Sequence, residues 1–264
     1  MAPLKYYDAH LHLQFSELRS LDLSTYTDQV SGAIVNGTSP ADWPQVQQLT
    51  LEFPSLIPAY GVHPWEVAKL PKNWLTTLRY YLEQQPSATI GEIGLDKWIH
   101  GYDLALQKKV FLAQLQLAIE LQRPISIHCL RAWGSLLELL EQSSPLPPFL
   151  LHAYAGPHEM IDRLTKLGAY FSFSPYFLSE GKQHKADLFY QIPLERLLVE
   201  TDAPSMLGPP ITQSKAQSAL PEAVQHPSNI IPTYQALASH LNHPLPELSS
   251  IIENNYSSFL NLLR

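Results

Sequence analysis

The run Asp8-Ala9-His10-Leu11-His12 holds the first residues able to do chemistry. It follows Tyr6-Tyr7, which reads as the end of a short strand, and in an extended chain residues two apart project to the same side. Asp8, His10 and His12 therefore share one side. Two imidazoles from one strand end can fill two corners of a metal's coordination shell. Matching ligand types recur at later strand ends: Glu92 in Gly91-Glu92-Ile93-Gly94-Leu95-Asp96, His128 after Ile125-Ser126-Ile127, His152 after Phe149-Leu150-Leu151, and Asp202 after Val199-Glu200-Thr201. Four histidines and two carboxylates make a mixed nitrogen and oxygen shell for Zn²⁺, Mn²⁺ or a similar divalent ion, large enough for two. Each residue also has a plainer explanation: His128 and His152 as core histidines, Glu92 and Asp202 as turn residues. Their recurrence at the same end of five strands is what favours metal binding.

The elements that must position these ligands are short and regularly spaced. Strands are predicted at 6–10, 33–36, 56–61, 89–92, 125–128, 149–152, 170–174 and 197–200. Helices are predicted at 43–51, 73–84, 104–121, 134–141, 158–167 and 182–190, with two more, 232–241 and 245–262, closing the chain. In the 104–121 helix, Leu104, Phe111, Leu115, Ala118 and Ile119 keep to one face, and Pro124 ends it. Strands alternating with helices predict a parallel α/β architecture. The count of eight points to a (β/α)8 TIM barrel, with a doubly wound open sheet as the competing arrangement. In a barrel all strands open on one face at their C-terminal ends, where active sites sit. Residues 203–232, rich in Pro, Ser, Gln and Ala, read as a long loop after the eighth strand. His226 and His243 precede prolines and read as surface residues, and Cys129 as a small buried one.

With 264 residues and 45% hydrophobic content, the chain suits one barrel domain spanning 1–264. No basic stretch followed by an apolar run marks a secretory signal, and no apolar run is long enough to span a bilayer. The single cysteine excludes an internal disulfide and suits a reducing, cytoplasmic setting. A formal net charge of -7 offers no broad basic surface for nucleic acid.

The sequence resembles the TatD-like metal-dependent hydrolases, the TatD-related deoxyribonuclease family of the amidohydrolase superfamily. The matching pieces are Asp8-Ala9-His10-Leu11-His12, Gly61-Val62-His63-Pro64, Gly91-Glu92-Ile93-Gly94-Leu95-Asp96, His128, His152 and Glu200-Thr201-Asp202-Ala203-Pro204. The resemblance implies a distorted TIM barrel, one to three bound metals, and phosphodiester hydrolysis, often as a deoxyribonuclease. By position it implies that His10, His12, Glu92 and Asp202 hold one ion, and that Glu92, His128 and His152 hold a second, with Glu92 bridging. Three departures lie where substrate would bind. Trp65 stands in place of a frequent histidine, Leu130-Arg131 in place of an arginine, and Ala153-Tyr154 in place of a frequent Cys-Phe.

The expected chemistry is hydrolysis by activated water, with Zn, Mn or Mg ions, two in number, as cofactors. Asp202 orients the water and accepts its proton, and Glu92 is the other catalytic carboxylate. His63 is a candidate substrate contact, or else a loop histidine locked by Pro64. Arg131 is a candidate phosphate clamp, or else a solvated helix-start residue. Asp96 and Glu200 are assigned to supporting the ligands. The expected substrate is nucleic acid, in particular single-stranded DNA ends, or a small phosphoester. A cyclic amide or lactone, and a non-catalytic metal-binding scaffold, are the alternatives.

Overall fold

The computed structural model of the chain describes residues 3–260. Eight strands are present: β1 (Tyr7–Leu11), β2 (Gly32–Asn36), β3 (Leu56–Tyr60), β4 (Thr89–Asp96), β5 (Ile125–Leu130), β6 (Phe149–Leu151), β7 (Ala169–Phe173) and β8 (Leu197–Val199). Each is parallel to its neighbour in sequence order. Nearly every strand residue is buried, because helices cover the outside and side chains fill the inside. That is why the strands read as near-continuous apolar runs rather than as alternating ones.

The sheet comes close to closing between β8 and β1, just past the last regular ladder. Asp202 N–H donates to the His10 carbonyl at 3.0 Å and His12 N–H to the Ala203 carbonyl at 2.7 Å. The buried Asp8 carboxylate reinforces the seam. It accepts from the Thr201 amide at 3.0 Å and the Thr201 hydroxyl at 2.6 Å, and from Tyr26 at 3.3 Å. These contacts draw the two ligand-bearing ends together and rule out the doubly wound alternative.

The covering helices are α1 (Leu23–Thr27), α2 (Trp43–Glu52), α3 (Trp74–Gln84), α4 (Leu104–Leu121), α5 (Trp133–Gln142), α6 (Ile161–Lys166), α7 (Gln183–Ala186), α8 (Ile230–His240) and α9 (Leu245–Leu260). The expected end of the last helix, Leu262, lies outside the described residues. α4 matches its expected bounds because its signals are local. Asp103 caps it by accepting from the Leu106 amide at 3.0 Å, and Gln122 ends it at φ 53°. α1 has no counterpart in the sequence reading, and 158–167 and 182–190 each contain a 3-10 turn beside a shorter helix.

Two expectations are corrected. β4 runs to Asp96, so Glu92 lies within the strand rather than at its end. The β4–β5 register shifts between Ile90 and Ile93, an irregularity of the kind that re-aims a side chain. His226 is buried, not at the surface, and its Nδ1 accepts from the Ser228 amide at 3.0 Å. The 203–229 loop packs inward in part, with Thr212, Gln225, Ser228 and Asn229 buried. Among the described residues no helix is long and apolar enough to cross a membrane.

Candidate metal centre

The six expected ligands converge at the C-terminal end of the barrel, and all but the partly exposed His128 are buried. Glu92 sits at the middle with one oxygen turned each way. Its Oε2 lies 3.4 Å from His10 Nε2 and 3.3 Å from His12 Nε2. Its Oε1 lies 3.0 Å from His128 Nδ1 and 2.9 Å from His152 Nε2. Asp202 Oδ1 joins the first group, 3.5 Å from His12 Nε2 and 3.8 Å from His10 Nε2. The backbone at Asp202 is left-handed, φ 53°, a conformation Asp tolerates better than most residues.

The outer nitrogens decide which ring atoms are free. His12 Nδ1 lies 2.7 Å from the Asn36 carbonyl, which can only accept. The proton therefore sits on Nδ1, and in the neutral ring Nε2 turns a lone pair inward. His128 Nε2 faces Asp96 Oδ2 at 3.0 Å, which frees its Nδ1 in the same way. His10 Nδ1 is 2.8 Å from Ser126 Oγ, and His152 Nδ1 faces Glu200 Oε1 at 3.5 Å. Glu200 is itself held by the Ser172 hydroxyl.

This geometry fits divalent ions. Ligand bonds of 2.0–2.1 Å in a tetrahedral shell put ligand atoms about 3.3 Å apart. His10 Nε2 and His12 Nε2 stand 3.3 Å apart, both turned inward. With Glu92 Oε2 they reproduce that spacing on all three edges. His128 Nδ1 and His152 Nε2, 3.1 Å apart, form the second facing pair.

Electrostatics point the same way. Burial raises the cost of charge on Glu92, yet the surrounding histidines His152, His63 and His10 hold its carboxyl well below the usual range. Burial likewise opposes charge on His12, but Asp202 and Glu92 overcome it and push its pKa up to about 10. His152 is raised against burial by Glu92 and Glu200. His10, buried and beside His152, is lowered. The cage thus carries a surplus of negative charge that either protons or cations must balance.

His63 is buried beside the cage, its Nε2 3.6 Å from Glu92 Oε1. Its Nδ1 accepts from the Trp65 amide at 3.2 Å, so Nε2 bears the proton and donates rather than ligates. Burial lowers its pKa to about 3, which keeps the ring neutral. Arg131 is exposed at the rim of β5, with φ 57° and no hydrogen bond or ion pair on its guanidinium among the described residues. Asp96 and Glu200 stand behind His128 and His152, as their supporting assignment requires.

Sequence reasoning missed the polar groups that steady this frame. Gln107 pairs with the Asp96 backbone at 2.9 Å on both its N–H and its carbonyl. Gln114 does the same for Val62, at 2.7 and 3.3 Å. Both lie on the buried face of α4, seven residues apart, and that spacing is the one signal that could have found them. Ser126, two before His128 in β5, shares its side and was open to the same reasoning.

The family described as TatD related DNase matches residues 7–261. A 3'-5' ssDNA/RNA exonuclease TatD of Edwardsiella piscicida is 33% identical, over 67% of this chain and 70% of its own. The human 3'-5' RNA nuclease TATDN2 is 27% identical over 97% of this chain and 35% of its own length. The crystal structure of YJJV, a TatD homolog from Escherichia coli K12, superposes with a TM-score of 0.86 at 24% identity, covering 97% of this chain and 98% of that one. At that identity the superposition establishes the shared fold. With a family match over almost its whole length, a barrel of the same topology and a cage built for divalent ions, the chain belongs to the TatD related DNase family and is a metal-dependent hydrolase of the nuclease class.

Proposed function

We propose that the chain, working as one barrel domain, removes nucleotides from the 3′ end of single-stranded DNA or RNA, with two divalent ions in the cage. The observation that carries this is Glu92, whose two oxygens serve two separate pairs of imidazoles. His10, His12, Glu92 and Asp202 hold one ion, and Glu92, His128 and His152 the other. Divalent ions there supply Lewis-acid activation of water and of a phosphoryl oxygen.

The chain's own groups do the rest. The histidines around Asp202, His12 foremost, lower its carboxyl despite burial, so it is ionised at neutral pH and able to take a proton from the attacking water. His63 offers a neutral N–H donor to a phosphate oxygen, and Arg131 an unpaired cation. The ligands are buried at the barrel end with His128 the most accessible of them, which suits a flexible strand end better than the middle of a stiff duplex. The single cysteine, buried and free, accords with work in a reducing cytoplasm.

The test is cleavage of 5′-labelled single-stranded DNA and RNA by protein loaded with Mn²⁺, Mg²⁺ or Zn²⁺. A ladder shortening from the 3′ end, abolished by chelator, is the expected result. Turnover on a cyclic amide or lactone, with none on either nucleic acid, would overturn the proposal.

A further inference from the structure

Two tryptophans stand at the rim of the site with large exposed faces, Trp65 at 43% and Trp98 at 55%. Their rings are stacked, with centroids 6.4 Å apart and planes 26° from parallel. Exposing two indoles side by side forfeits burial that the fold could have used. Both are anchored on one carboxylate. Trp65 Nε1–H donates to Asp96 Oδ2 at 2.8 Å, and the Trp98 amide donates to Asp96 Oδ1 at 2.6 Å. That same Oδ2 accepts from His128 Nε2 at 3.0 Å. The Trp65 indole, the Trp98 backbone and a metal-ligand candidate are thus held by a single side chain.

A continuous run of rings leads inward. Trp98 stacks on Trp65, Trp65 meets His63 edge-on with centroids 5.1 Å apart, and His63 meets His128 at 4.6 Å. His128 is also the most exposed of the six ligand candidates, its side chain 16% accessible against 0% for His10. The cage therefore opens toward the tryptophans. With a net charge of -7, the chain has no overall excess of positive charge to attract phosphate, which favours a source of affinity other than broad positive charge. Stacking of bases on aromatic rings is such a source, and it tolerates any sequence.

We propose that Trp65 and Trp98 form a stacking platform for a nucleobase of the substrate strand, next to the nucleotide whose phosphate enters the cage. The platform rests on the nuclease reading given above and adds to it what holds the strand. Base-on-aromatic stacking corresponds to roughly 5- to 150-fold in affinity.

The experiment compares the full-length wild type with Trp98→Ala and Trp98→Phe. The substrates are two single-stranded oligothymidylates in Mn²⁺, one intact and one with abasic residues at its 3′ end. Trp98→Ala should raise KM within that range on the intact strand, change kcat less, and leave KM on the abasic strand unaltered. Trp98→Phe should restore most of the loss. Equal KM for wild type and Trp98→Ala on the intact strand, or an equal rise on both strands, would overturn the platform. Indole fluorescence, read in Ca²⁺, separates this from failure of the nuclease reading. Quenching by the intact strand that is lost in Trp98→Ala supports stacking even if wild type cleaves neither strand, in which case the nuclease reading alone falls. No base-dependent quenching overturns the platform whether or not cleavage occurs.

Discussion

At Glu92 one carboxylate faces two imidazoles with each oxygen, and Asp202 is added to one side only. That asymmetry makes Asp202 the more dispensable ligand and the better proton acceptor. Asp202→Asn keeps the shape and removes the basic oxygen, so turnover should fall by about 10²–10⁴ while most bound metal is retained. Elemental analysis beside steady-state rates checks both halves, and near-normal turnover would remove Asp202 from the mechanism. Protons should also move when metal enters. Without metal, Asp202 and Glu92 push the pKa of His12 up to about 10 against burial, so that ring carries a proton at neutral pH, and the neighbouring carboxylates raise His128 and His152 in the same direction. Metal binding must expel the His12 proton, so affinity should rise with pH through the neutral range and level off only above that raised value. Titration calorimetry at pH 7–8 in two buffers of different ionisation enthalpy should show net proton release, and its absence would contradict the assignment of His12 as a ligand.

At the scale of elements, the site depends on how closely β4 and β5 approach. A Cβ at Gly94 would collide with the His128 backbone carbonyl, and one at Gly91 would lie 2.7 Å from Ser126 Cβ. Neither obstacle is a flexible side-chain tip. Gly94→Ala should therefore cost at least the 1–3 kcal/mol typical of overpacking, read as a drop in urea midpoint, and should lower metal occupancy by displacing His128. A variant as stable as wild type would show that the two strands can part without harm. These glycines also mark the limit of what could be read from the chain. The eight apolar runs were legible, because burial on both faces writes itself as composition. The extension of β4 past Glu92 was not, because Gly91 and Gly94 interrupt the pattern at the place where the strands pack tightest. The short helices α1, α6 and α7 were blurred for want of a full period. His226 was misread because a histidine before proline looks like a loop tip, whereas its loop packs inward. Closure through Asp8 and Thr201 joins residues 193 apart, a pairing no local pattern records.

Over the whole molecule, charge and shape oppose each other in an informative way. A chain with 17 basic and 24 acidic residues has no excess of positive charge, yet its family is described as a DNase. The compact answer is few charged contacts at high local field, from the cage and Arg131, with uncharged contacts such as stacking beside them. For single strands, log affinity falls with log salt at a slope of about -0.7 per phosphate neutralised. Two or three neutralised phosphates predict a slope near -2, on the order of that for a short site and far from that of a basic groove. Stacking adds nothing to this slope, so Trp98→Ala should weaken binding while leaving the salt dependence parallel to wild type. Arg131→Ala should instead flatten the slope by about one contact's worth, roughly 0.7. The measurement is KM on end-labelled single-stranded DNA across a salt series at saturating Mn²⁺. A slope several-fold steeper would mean that many phosphates are gripped along the surface, against the proposal of a compact site that neutralises two or three.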